Sequence, residues 1–456
     1  MDQDHVAAQS AGAREAGISI GMRKSSAAVL APEACMLERS PEAEQAALHG
    51  AALAMLQYTP EVALADDHTL LLNVSASLMM FKGPRLLARR IMRSTRSLRL
   101  GTYLGMAPTA QGAWLLAHHG PGRIRRRLRL TTLQRSLDAM PLTLLPAARL
   151  RAQWLQGIGC DTLGALRALP RAGLQRRIGT DVLRALDTAY GEQPDVFAWF
   201  TPPPVFSQRL ELIERIEHTT AVMAVTRELI AQMSGWLVHR QRATDQLELT
   251  LEHETGRHAR PPTSLILKLA APAWQAVHLH ALLREKLDRL VLDAPVMAVG
   301  LTTTVTVPMP AVNSTLFPEP GGTAADRTRL LDLLAARLGP EQIRQPATVA
   351  DHRPEVASRW QSAIGRVCAV APPADIDRPF WLLDPPLALS TRQDRPYYRS
   401  SLTLVKGPER IETGWWDGGL AVRDYFVAQD QHYVHYWIYR ERDHSHARWF
   451  LHGLFG

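Results

Sequence analysis

Cysteine is scarce in this chain of 456 residues, which contains only three. Cys35, Cys160 and Cys368 lie far apart and form no Cys-x-x-Cys pair. Zinc sites and disulfide frameworks both need cysteines that are closely spaced or numerous. The sequence therefore argues against both kinds of site and fits a reducing compartment.

Long hydrophobic runs are missing as well. No stretch of the sequence reaches the roughly 18 apolar residues that a membrane-spanning helix needs. The first residues also lack the pattern of a secretory signal peptide. We therefore predict a protein without a membrane partner that is located in the cytoplasm.

The composition is that of an ordinary globular protein, with 46% apolar and 21% charged residues. A chain of this length is too long for one compact core, so two to four domains are expected. The net charge of +8 suggests a polyanionic partner. By itself this indication is weak, because many ordinary proteins are equally basic.

An apolar stretch runs from Leu70 to Phe81 and is followed by Gly83-Pro84. Its first half is continuously apolar and its second half partly alternates, which predicts a buried strand that ends at a Gly-Pro turn. Helices are predicted around residues 11–17 and over residues 41–57. A basic helix over residues 85–98 is expected to turn four apolar residues inward: Leu86, Leu87, Ile91 and Leu98.

A compact helical unit is predicted from about residue 137 to residue 179. Within it, Gly157 and Gly159 allow a tight turn between two helices. Such a turn can expose backbone N–H groups, as a helix-hairpin-helix does toward a DNA phosphate. Pro202-Pro203-Pro204 then marks a boundary, because three prolines cannot continue a helix.

The segment after the prolines alternates between strand-like and helix-like patterns. Strands are predicted near residues 210–216, 246–253, 264–269 and 298–307, with helices near 221–240 and 275–290. This β-α-β-β-α-β order is that of a split βαβ sandwich. Beyond it, a helix is predicted over residues 324–338, and the aromatic-rich end predicts a small antiparallel β module.

These phrases resemble the Y family of translesion DNA polymerases. In the central palm strand the family has a Ser-hydrophobic-Asp-Glu-Ala-Ser-Leu pattern, whose Asp-Glu pair helps to hold two magnesium ions. Aligning Ala76-Ser77-Leu78 with the end of that pattern puts Val74 in place of the Asp and Ser75 in place of the Glu. Neither side chain can replace a carboxylate as a ligand for a hard cation.

A second family motif is altered in the same way. The stretch Leu104–Ala117 resembles a palm motif whose two lysines attend the incoming triphosphate, and here those positions are Ala110 and Trp114. In the family, about forty further residues with another catalytic Asp precede the phrase at residues 11–22. Either the start of the sequence is misassigned, or the family's first palm strand, which carries this Asp, is lacking. On both interpretations this Asp is absent from the sequence.

The resemblance is closest to the non-catalytic, Y-family-like subunits of the bacterial SOS mutasome. It is carried by LFPEPGGT at 316–323, ADHRPE at 350–355, GPERIETGWWDG at 407–418 and WFLHGLFG at 449–456. The resemblance implies a hub that binds the sliding clamp, an ImuA-like RecA-fold protein and an error-prone C-family DNA polymerase. It also implies a nucleoid-associated location and no cofactor or metal.

The expected fold class is a multidomain α+β chain with a Y-family polymerase-like arrangement. It comprises a partial palm and fingers, a helical thumb with a helix-hairpin-helix-like turn, a βαββαβ little finger and a small, mostly β C-terminal module. The expected segments are a fingers-like remnant (1–57), palm-like (58–135), thumb-like (136–201), little-finger-like (205–308), a clamp-binding linker (309–323) and a C-terminal partner-binding region (324–456).

The clamp-binding linker contains Asn313-Ser314-Thr315-Leu316-Phe317. Clamp ligands of bacteria carry Gln-x-x-Leu-Phe, whose Leu and Phe occupy a hydrophobic pocket while the polar first residue fixes the register. Asn313, Leu316 and Phe317 are therefore predicted to contact the clamp. Asn313 is one methylene shorter than glutamine, so a lower affinity is an alternative, as is a plain proline-rich linker.

Other features have both a functional and a structural interpretation. The basic run with Arg123, Arg125, Arg126 and Arg127 is either a phosphate contact or a solvated linker or helix face. Asp66 and Asp67 are interpreted as a polar turn, with a catalytic role as the alternative. Asp443-His444-Ser445-His446 with His452 is a solvated loop in preference to a metal site.

Trp415-Trp416 and the aromatic residues near 433–439 are interpreted as module core or as a protein-docking face. Stacking on single-stranded DNA bases is the alternative. The leading hypothesis is a non-catalytic, DNA-binding scaffold for SOS-induced translesion synthesis and mutagenesis. The competing hypotheses are an active translesion polymerase with relocated carboxylates, and a generic basic DNA-binding protein without a clamp link.

Overall fold

The computed structural model describes residue 2 and residues 4–66, 68–120, 122–254, 259–310, 324–363, 378–442 and 448–455. The chain divides into two compact units, Met1–Leu316 and Phe317–Gly456. Among the described residues, no helix is both long and apolar enough to cross a membrane. The finer division into palm-like, thumb-like and other segments stays a prediction.

The first part of unit 1 combines short helices with two small sheets. Its third helix begins where the sequence predicts, because the Ser40 side chain accepts a hydrogen bond from the Ala43 N–H and Pro41 occupies the first turn. The elements are α1 Ala11–Glu15, α2 Lys24–Leu30, α3 Pro41–Met55, β1 Val62–Ala65, β2 Thr69–Leu72, α4 Pro84–Ser97, β3 Leu104–Met106, α5 Ala110–His118 and β4 Ile124–Arg126.

Strands β1 and β2 form an antiparallel hairpin, whereas β3 and β4 are parallel and are connected by α5. Helix α4 is the predicted basic helix, and its Leu87 and Ile91 are buried, as is Leu98 directly after it. Leu86 is 41% exposed. The prediction that Leu86 faces inward is therefore wrong, since the buried stripe of this helix is narrower than the pattern indicated.

A helical region follows, and its hydrophobic core is continuous with α5. The core includes Trp114 and Leu115 from α5 and extends to Tyr190 in the last helix. The Tyr190 hydroxyl donates to Asp138 at 2.8 Å, which satisfies the polar end of a buried ring. The helices are α6 Leu130–Asp138, α7 Pro146–Arg149, α8 Ala152–Gly157, α9 Leu163–Ala168, α10 Arg171–Ile178 and α11 Thr180–Tyr190.

The β-α-β-β-α-β order predicted after the prolines is confirmed. The elements are β5 Phe206–Ile216, α12 Thr219–His239, β6 Arg242–His253, β7 Thr263–Ala273, α13 Ala276–Leu287, β8 Val296–Thr303 and β9 Thr306–Pro308. The sheet order β5-β8-β6-β7 makes β5 parallel to β6 with β8 between them. That is a split βαβ unit. In β6 every second residue is buried from Leu247 to His253, as expected for a strand with one covered face.

Helix α12 packs closely against α3. A Cβ atom built on Gly235 of α12 would lie 2.9 Å from the Ala54 Cα atom and closer still to the carbonyl oxygen of Leu53. A Cβ on Gly50 of α3 would lie 2.6 Å from the Gln232 side chain. Two glycines therefore allow the backbones of these helices to approach each other.

Unit 2 is mostly β structure, as predicted. It contains α14 Ala324–Leu338, a two-stranded sheet and a seven-stranded sheet. The two-stranded sheet is β10 Arg344–Thr348 and β11 Ser358–Ser362. The strands of the larger sheet are β12 Trp381–Arg392, β13 Arg395–Tyr398, β14 Ser400–Ser401, β15 Thr403–Thr413, β16 Ala421–Gln429, β17 His435–Glu441 and β18 Arg448–Leu454.

The larger sheet is antiparallel in the order β14-β13-β12-β18-β17-β16-β15. Apolar side chains pack on both of its faces. Tyr436 and Ile438 contribute to one cluster, and Tyr425, Trp437 and Tyr439 to the other. The prediction that the aromatic residues near 433–439 form module core is therefore confirmed for these strand residues, whereas Tyr433 is 79% exposed.

Candidate functional site

The strand that was expected to carry the emptied metal position is shorter than predicted. β2 ends at Leu72, and Ser75–Ser77 forms a short 3-10 helix. The side-chain oxygen of Asn73 accepts from the Ser75 N–H at 3.2 Å and from its hydroxyl at 2.8 Å. The prediction of a strand through Phe81 is wrong beyond Leu72, because Asn73 turns the backbone locally in place of a further ladder.

The predicted turn at Gly83-Pro84 is present: Gly83 has φ +97° and Pro84 begins α4. Val74 is half-buried and Ser75 is exposed at the end of the β1–β2 hairpin. The carboxylate that contacts this end is Glu61, whose oxygen accepts from the Asn73 amide at 2.6 Å. Two-metal chemistry needs several carboxylates around one point. In the part of the chain that the structure describes, Glu61 is bonded to the Asn73 amide, and no group of three possible metal ligands is present.

Asp66 lies in the exposed turn between β1 and β2, as the polar-turn interpretation predicted; Asp67 lies outside the described residues. Five residues of extended chain separate Asp66 from Glu61, a span of roughly 16 Å. Asp66 and Glu61 are therefore too far apart to bind the same pair of ions, which would lie about 3.5–4 Å from each other. Within the ranges that the structure describes, no three His, Cys, Asp or Glu residues are grouped to hold a metal ion.

The two positions at which the resemblance places the family's triphosphate lysines lie on α5. Ala110 is its first residue, and Thr109 caps the helix by accepting from the Gly112 N–H. Trp114 is 4% exposed and stacks on His118 with ring centroids 3.9 Å apart. The indole therefore fills part of the helical core, where a charged side chain would be strongly disfavoured.

The basic run forms strand β4 and its flanks rather than a linker or helix. The Arg125 guanidinium donates to the carbonyl of Leu116 at 2.9 Å and to that of Gly120, and Arg127 donates to the Ser136 hydroxyl at 2.7 Å. Arg125 and Arg127 are thus used within the fold. Arg123 is exposed and Arg126 is half-buried, and these two stay the candidates for phosphate contact.

The turn between α8 and α9 is present, and Gly159 has φ +77°. Its amide groups are not free, however. The N–H groups of Ile158, Gly159 and Cys160 all donate to carbonyls at the end of α8, at 2.9–3.2 Å. This is a glycine-closed helix end. The expectation that these amides are exposed to a phosphate is therefore wrong, although the tight turn itself is confirmed.

A basic aromatic pair near this turn was missed from the sequence. Trp154 on α8 is 37% exposed, and the Arg177 guanidinium of α10 lies 5.7 Å from the centre of its ring. Arg176 and Arg177 form the last turn of α10. No spacing rule relates positions 154 and 177, so only the fold brings them together.

Comparison with known proteins identifies relatives along the whole chain. Residues 1–118 match the impB/mucB/samB family. Protein ImuB of Caulobacter vibrioides, in strain NA1000 / CB15N and in strain ATCC 19089 / CIP 103742 / CB 15, is 26% identical over 476 residues, which cover 96% of this chain and 100% of each relative. The resemblance to ImuB is confirmed.

Solved structures of similar proteins include a Dbh ternary complex, with 16% identity and a TM-score of 0.37 over 66% of this chain and 88% of that chain. DinB from Sulfolobus solfataricus has 15% identity and a TM-score of 0.36 over 65% of this chain and 86% of that chain. The expected mixed α and β chain with a separate, mostly β C-terminal module is confirmed.

The ADHRPE phrase of this ImuB-like chain anchors a loop of unit 2. The Arg353 guanidinium donates to both carboxylate oxygens of Asp351, at 2.8 and 3.1 Å, and of Asp417, at 2.5 and 3.1 Å. It also donates to the Gly419 carbonyl at 3.0 Å. Hydrogen bonding to Arg353 lowers the pKa of both carboxyl groups. Two of the sequence phrases that carry the resemblance therefore meet at one arginine.

Trp415 and Trp416 are presented by the loop that Arg353 holds. They are 72% and 58% exposed and meet edge to face, with centroids 4.8 Å apart. The interpretation of this pair as module core is wrong, because both rings stay largely exposed; the Arg353 guanidinium lies 5.9 Å from the centre of the Trp416 ring. A docking face for protein and a stacking surface for bases both stay open.

His452 was grouped with a solvated loop, and that prediction is wrong for this residue. It is 1% exposed in β18, and its Nδ1 atom lies 2.8 Å from the Tyr425 hydroxyl. Burial lowers its pKa, and this effect outweighs the opposing influence of Glu355. Residues 443–447, with the other two histidines of that group, lie outside the described residues, as do Asn313, Leu316 and Phe317.

Proposed function

We propose that this chain is a non-catalytic, polymerase-like scaffold in DNA damage tolerance. The observation that carries the proposal is the end of the β1–β2 hairpin. There Val74 and Ser75 replace the expected ligands, and the contacting carboxylate, Glu61, is bonded to Asn73. Similarity to ImuB over 96% of the chain supports the role, and a cytoplasmic, nucleoid-associated location fits it.

Primer extension tests the absence of catalysis. Purified protein is incubated with primer–template, dNTPs and either Mg²⁺ or Mn²⁺, beside an active Y-family polymerase. We expect no incorporation above background. Incorporation that Glu61→Gln abolishes would support the alternative, an active polymerase with relocated carboxylates. Incorporation that this variant leaves unchanged would also defeat the scaffold proposal and would point to carboxylates other than Glu61.

DNA binding is proposed for the polymerase-like unit. Two features support it: the exposed Arg123 with Arg126 at β4, and the Trp154–Arg177 pair beside the Gly157–Gly159 turn. Each lost phosphate contact on duplex DNA should reduce the slope of log K against log salt by about 0.9. Arg123→Gln/Arg126→Gln should therefore lower the slope by about 1.8, while Arg344→Gln/Arg359→Gln in unit 2 should leave it unchanged.

Clamp binding through Asn313, Leu316 and Phe317 is a proposal that rests on the sequence. Leu and Phe anchors of this kind cost roughly 2 kcal/mol or more each when truncated. Leu316→Ala/Phe317→Ala should therefore abolish co-elution with the sliding clamp, whereas Thr315→Ala, at a variable position, should retain it. Asn313→Gln should tighten binding. Unchanged elution of the double variant would remove the clamp from the proposal.

Partner binding is proposed for unit 2. An ImuA-like RecA-fold protein and an error-prone C-family polymerase are the partners that the ImuB resemblance implies. The exposed Trp415–Trp416 pair supports a docking face, since exposed tryptophans are frequent anchors of interfaces. Trp415→Ala/Trp416→Ala should weaken capture of at least one partner, and Trp360→Ala, an exposed tryptophan on β11, serves as the control. Equal capture by both variants would exclude this face.

A further inference from the structure

The tip of the β12–β13 hairpin concentrates positive charge. Arg392 and Arg395 face each other directly across the two strands, and Arg399 follows on the next turn. All three are exposed. Among the described residues, none of these guanidinium groups forms an ion pair, although Asp394 lies between the first two. Like charges opposite each other in a sheet are unfavourable, so this tip carries a charge that the fold itself does not balance.

The backbone of the tip is held in an unusual conformation. Gln393 and Asp394 have φ of +49° and +59°, and Arg399 has φ +59°. A two-residue hairpin turn with positive φ at both positions normally uses Asn-Gly or similar pairs. Here the turn has no glycine, and Tyr398 anchors the strand by packing edge to face on Tyr436, with centroids 5.5 Å apart. Such strain persists where the surroundings fix it, and it is frequent at binding sites.

Two cavities border Arg395. The first has a volume of about 460 Å³ and is lined by Arg392, Gln393, Arg395, Tyr397 and Ser401. The Arg392 guanidinium lies 3.9 Å from the centre of the Tyr397 ring, and the Tyr397 hydroxyl donates to the Arg399 carbonyl at 3.0 Å. The tyrosine is therefore fixed in place beside two unpaired cations.

The second cavity has a volume of about 220 Å³. Arg395 and Asp394 border it as well, but its other walls are more apolar: Pro396, Leu402, Thr403, Leu404 and Trp449. The first cavity thus suits an anion, and the second suits a flat apolar group. Phosphate and base have these two properties and alternate along a nucleic acid strand.

We propose that the β12–β13 hairpin is a binding site for single-stranded DNA. Arg392 and Arg395 contact phosphates, and bases stack on the face of Tyr397 opposite Arg392 or enter the apolar cavity. Stacking requires bases that are not covered by their neighbours in a duplex. An acidic peptide would satisfy the arginines but leave the ring and the apolar cavity unused. The choice of DNA over RNA rests on the proposed function.

Binding by the full-length protein to fluorescein-labelled oligo(dT) of 20 nucleotides tests this. Anisotropy is measured over a series of salt concentrations. Each phosphate contact on a single strand contributes about 0.7 to the slope of log K against log salt. Arg392→Gln/Arg395→Gln should therefore lower the slope by about 1.4. The matched control Arg344→Gln/Arg359→Gln removes two arginines from the β10–β11 sheet of the same unit and should leave the slope unchanged.

A second variant and a second readout locate the site. Tyr397→Leu keeps the charge and removes the ring, and it should weaken binding by between about fivefold and a hundredfold. An oligonucleotide with 5-iododeoxyuridine should cross-link to a peptide that contains Tyr397, and Arg392→Gln/Arg395→Gln should lose that cross-link. Circular dichroism of each variant confirms that the fold is retained.

Four outcomes would overturn the proposal. Equal slopes for the hairpin and control variants, with cross-links confined to residues 1–316, would place all DNA binding in unit 1 and leave the proposed function standing. If poly-glutamate displaces the labelled strand at lower concentrations than unlabelled oligo(dT) does, the site binds an acidic protein partner instead. Full competition by dTTP would indicate a nucleotide site. Absence of any DNA binding by the wild-type protein, including to primer–template, would contradict the proposed function itself.

Discussion

Substitution of Gly235 by alanine should destabilise unit 1 more than any other single methyl group added to its helices. The new Cβ would lie 2.9 and 3.0 Å from the Cα and carbonyl carbon of Ala54, and closer to the Leu53 carbonyl oxygen. Ordinary contacts between carbon atoms are about 3.5–4.0 Å. Helices α3 and α12 must therefore separate by roughly 0.5–1 Å. Each contact between them then loses about a quarter to a half of its van der Waals attraction.

The expected cost is about 3 kcal/mol, the upper end of the range for overpacked cores. The reason is that the clash involves backbone on both helices and no flexible side chain can move aside. A loss of that size should lower the melting temperature of a unit this large by roughly 5 °C. Differential scanning calorimetry measures the shift, and urea unfolding gives the free energy of unfolding independently.

Gly173→Ala is the matched control. Gly173 lies in α10 without a positive φ, and a Cβ there would meet nothing within 4 Å. Alanine at such a position should be neutral or should stabilise the unit by about 0.5–1 kcal/mol. A Gly235→Ala variant as stable as the wild type or as Gly173→Ala would refute the close approach of the two helices.

Three further outcomes are expected. Trp114→Lys should cost about 3–5 kcal/mol of unfolding free energy without promoting nucleotide incorporation, whereas Trp154→Lys at the surface should cost far less; similar urea midpoints would contradict the buried placement of Trp114. Burial lowers the pKa of His452, so stability present above its ordinary value of 6.5 should be lost as pH falls. The decline in melting temperature between pH 8 and 5 should be smaller in His452→Gln than in the wild type. Parallel pH profiles of the two proteins would contradict the lowered pKa of His452. The buried Asp424 carboxylate pairs with Arg410, Arg440 and Arg442, whose side chains are 37–54% exposed. Asp424→Asn should therefore cost about 1–2 kcal/mol, less than the roughly 3–5 of a fully buried pair; an unchanged urea midpoint would argue against these ion pairs.

The elements that the sequence predicts best are those whose patterns depend on local periodicity. The alternation in Gln246–His253 is observed as part of β6, and the Ala-rich helix begins at Pro41 as its cap indicates. The strand through Phe81 fails for a local reason of a different kind. The hydrogen bonds of Asn73 compete with the ladder, and hydrophobicity carries no information about that competition.

The candidate sites depend more on tertiary contacts. Trp416 and Trp437 lie in equally aromatic stretches, yet one is 58% exposed and the other 2%. Only strand pairing decides which ring is covered. Gly159 is recognisable from the sequence as a turn residue, but the hydrogen-bond partners of its amide depend on the fold. Arg125 reads as one cation of a run, although its guanidinium holds the end of α5. The replacements at Val74 and Ser75, in contrast, are predicted from the resemblance of the sequence alone.

The residues at or beside the positions where the resemblance places catalytic groups form contacts within the fold. Ser75 and Asn73 bond each other, Asn73 holds Glu61, and the Trp114 ring occupies interior volume. Placing a carboxylate at Ser75 or a lysine at Trp114 would therefore break an existing contact before it could contribute to chemistry. We expect that several simultaneous changes would be needed at these positions, because each single change would disturb the fold.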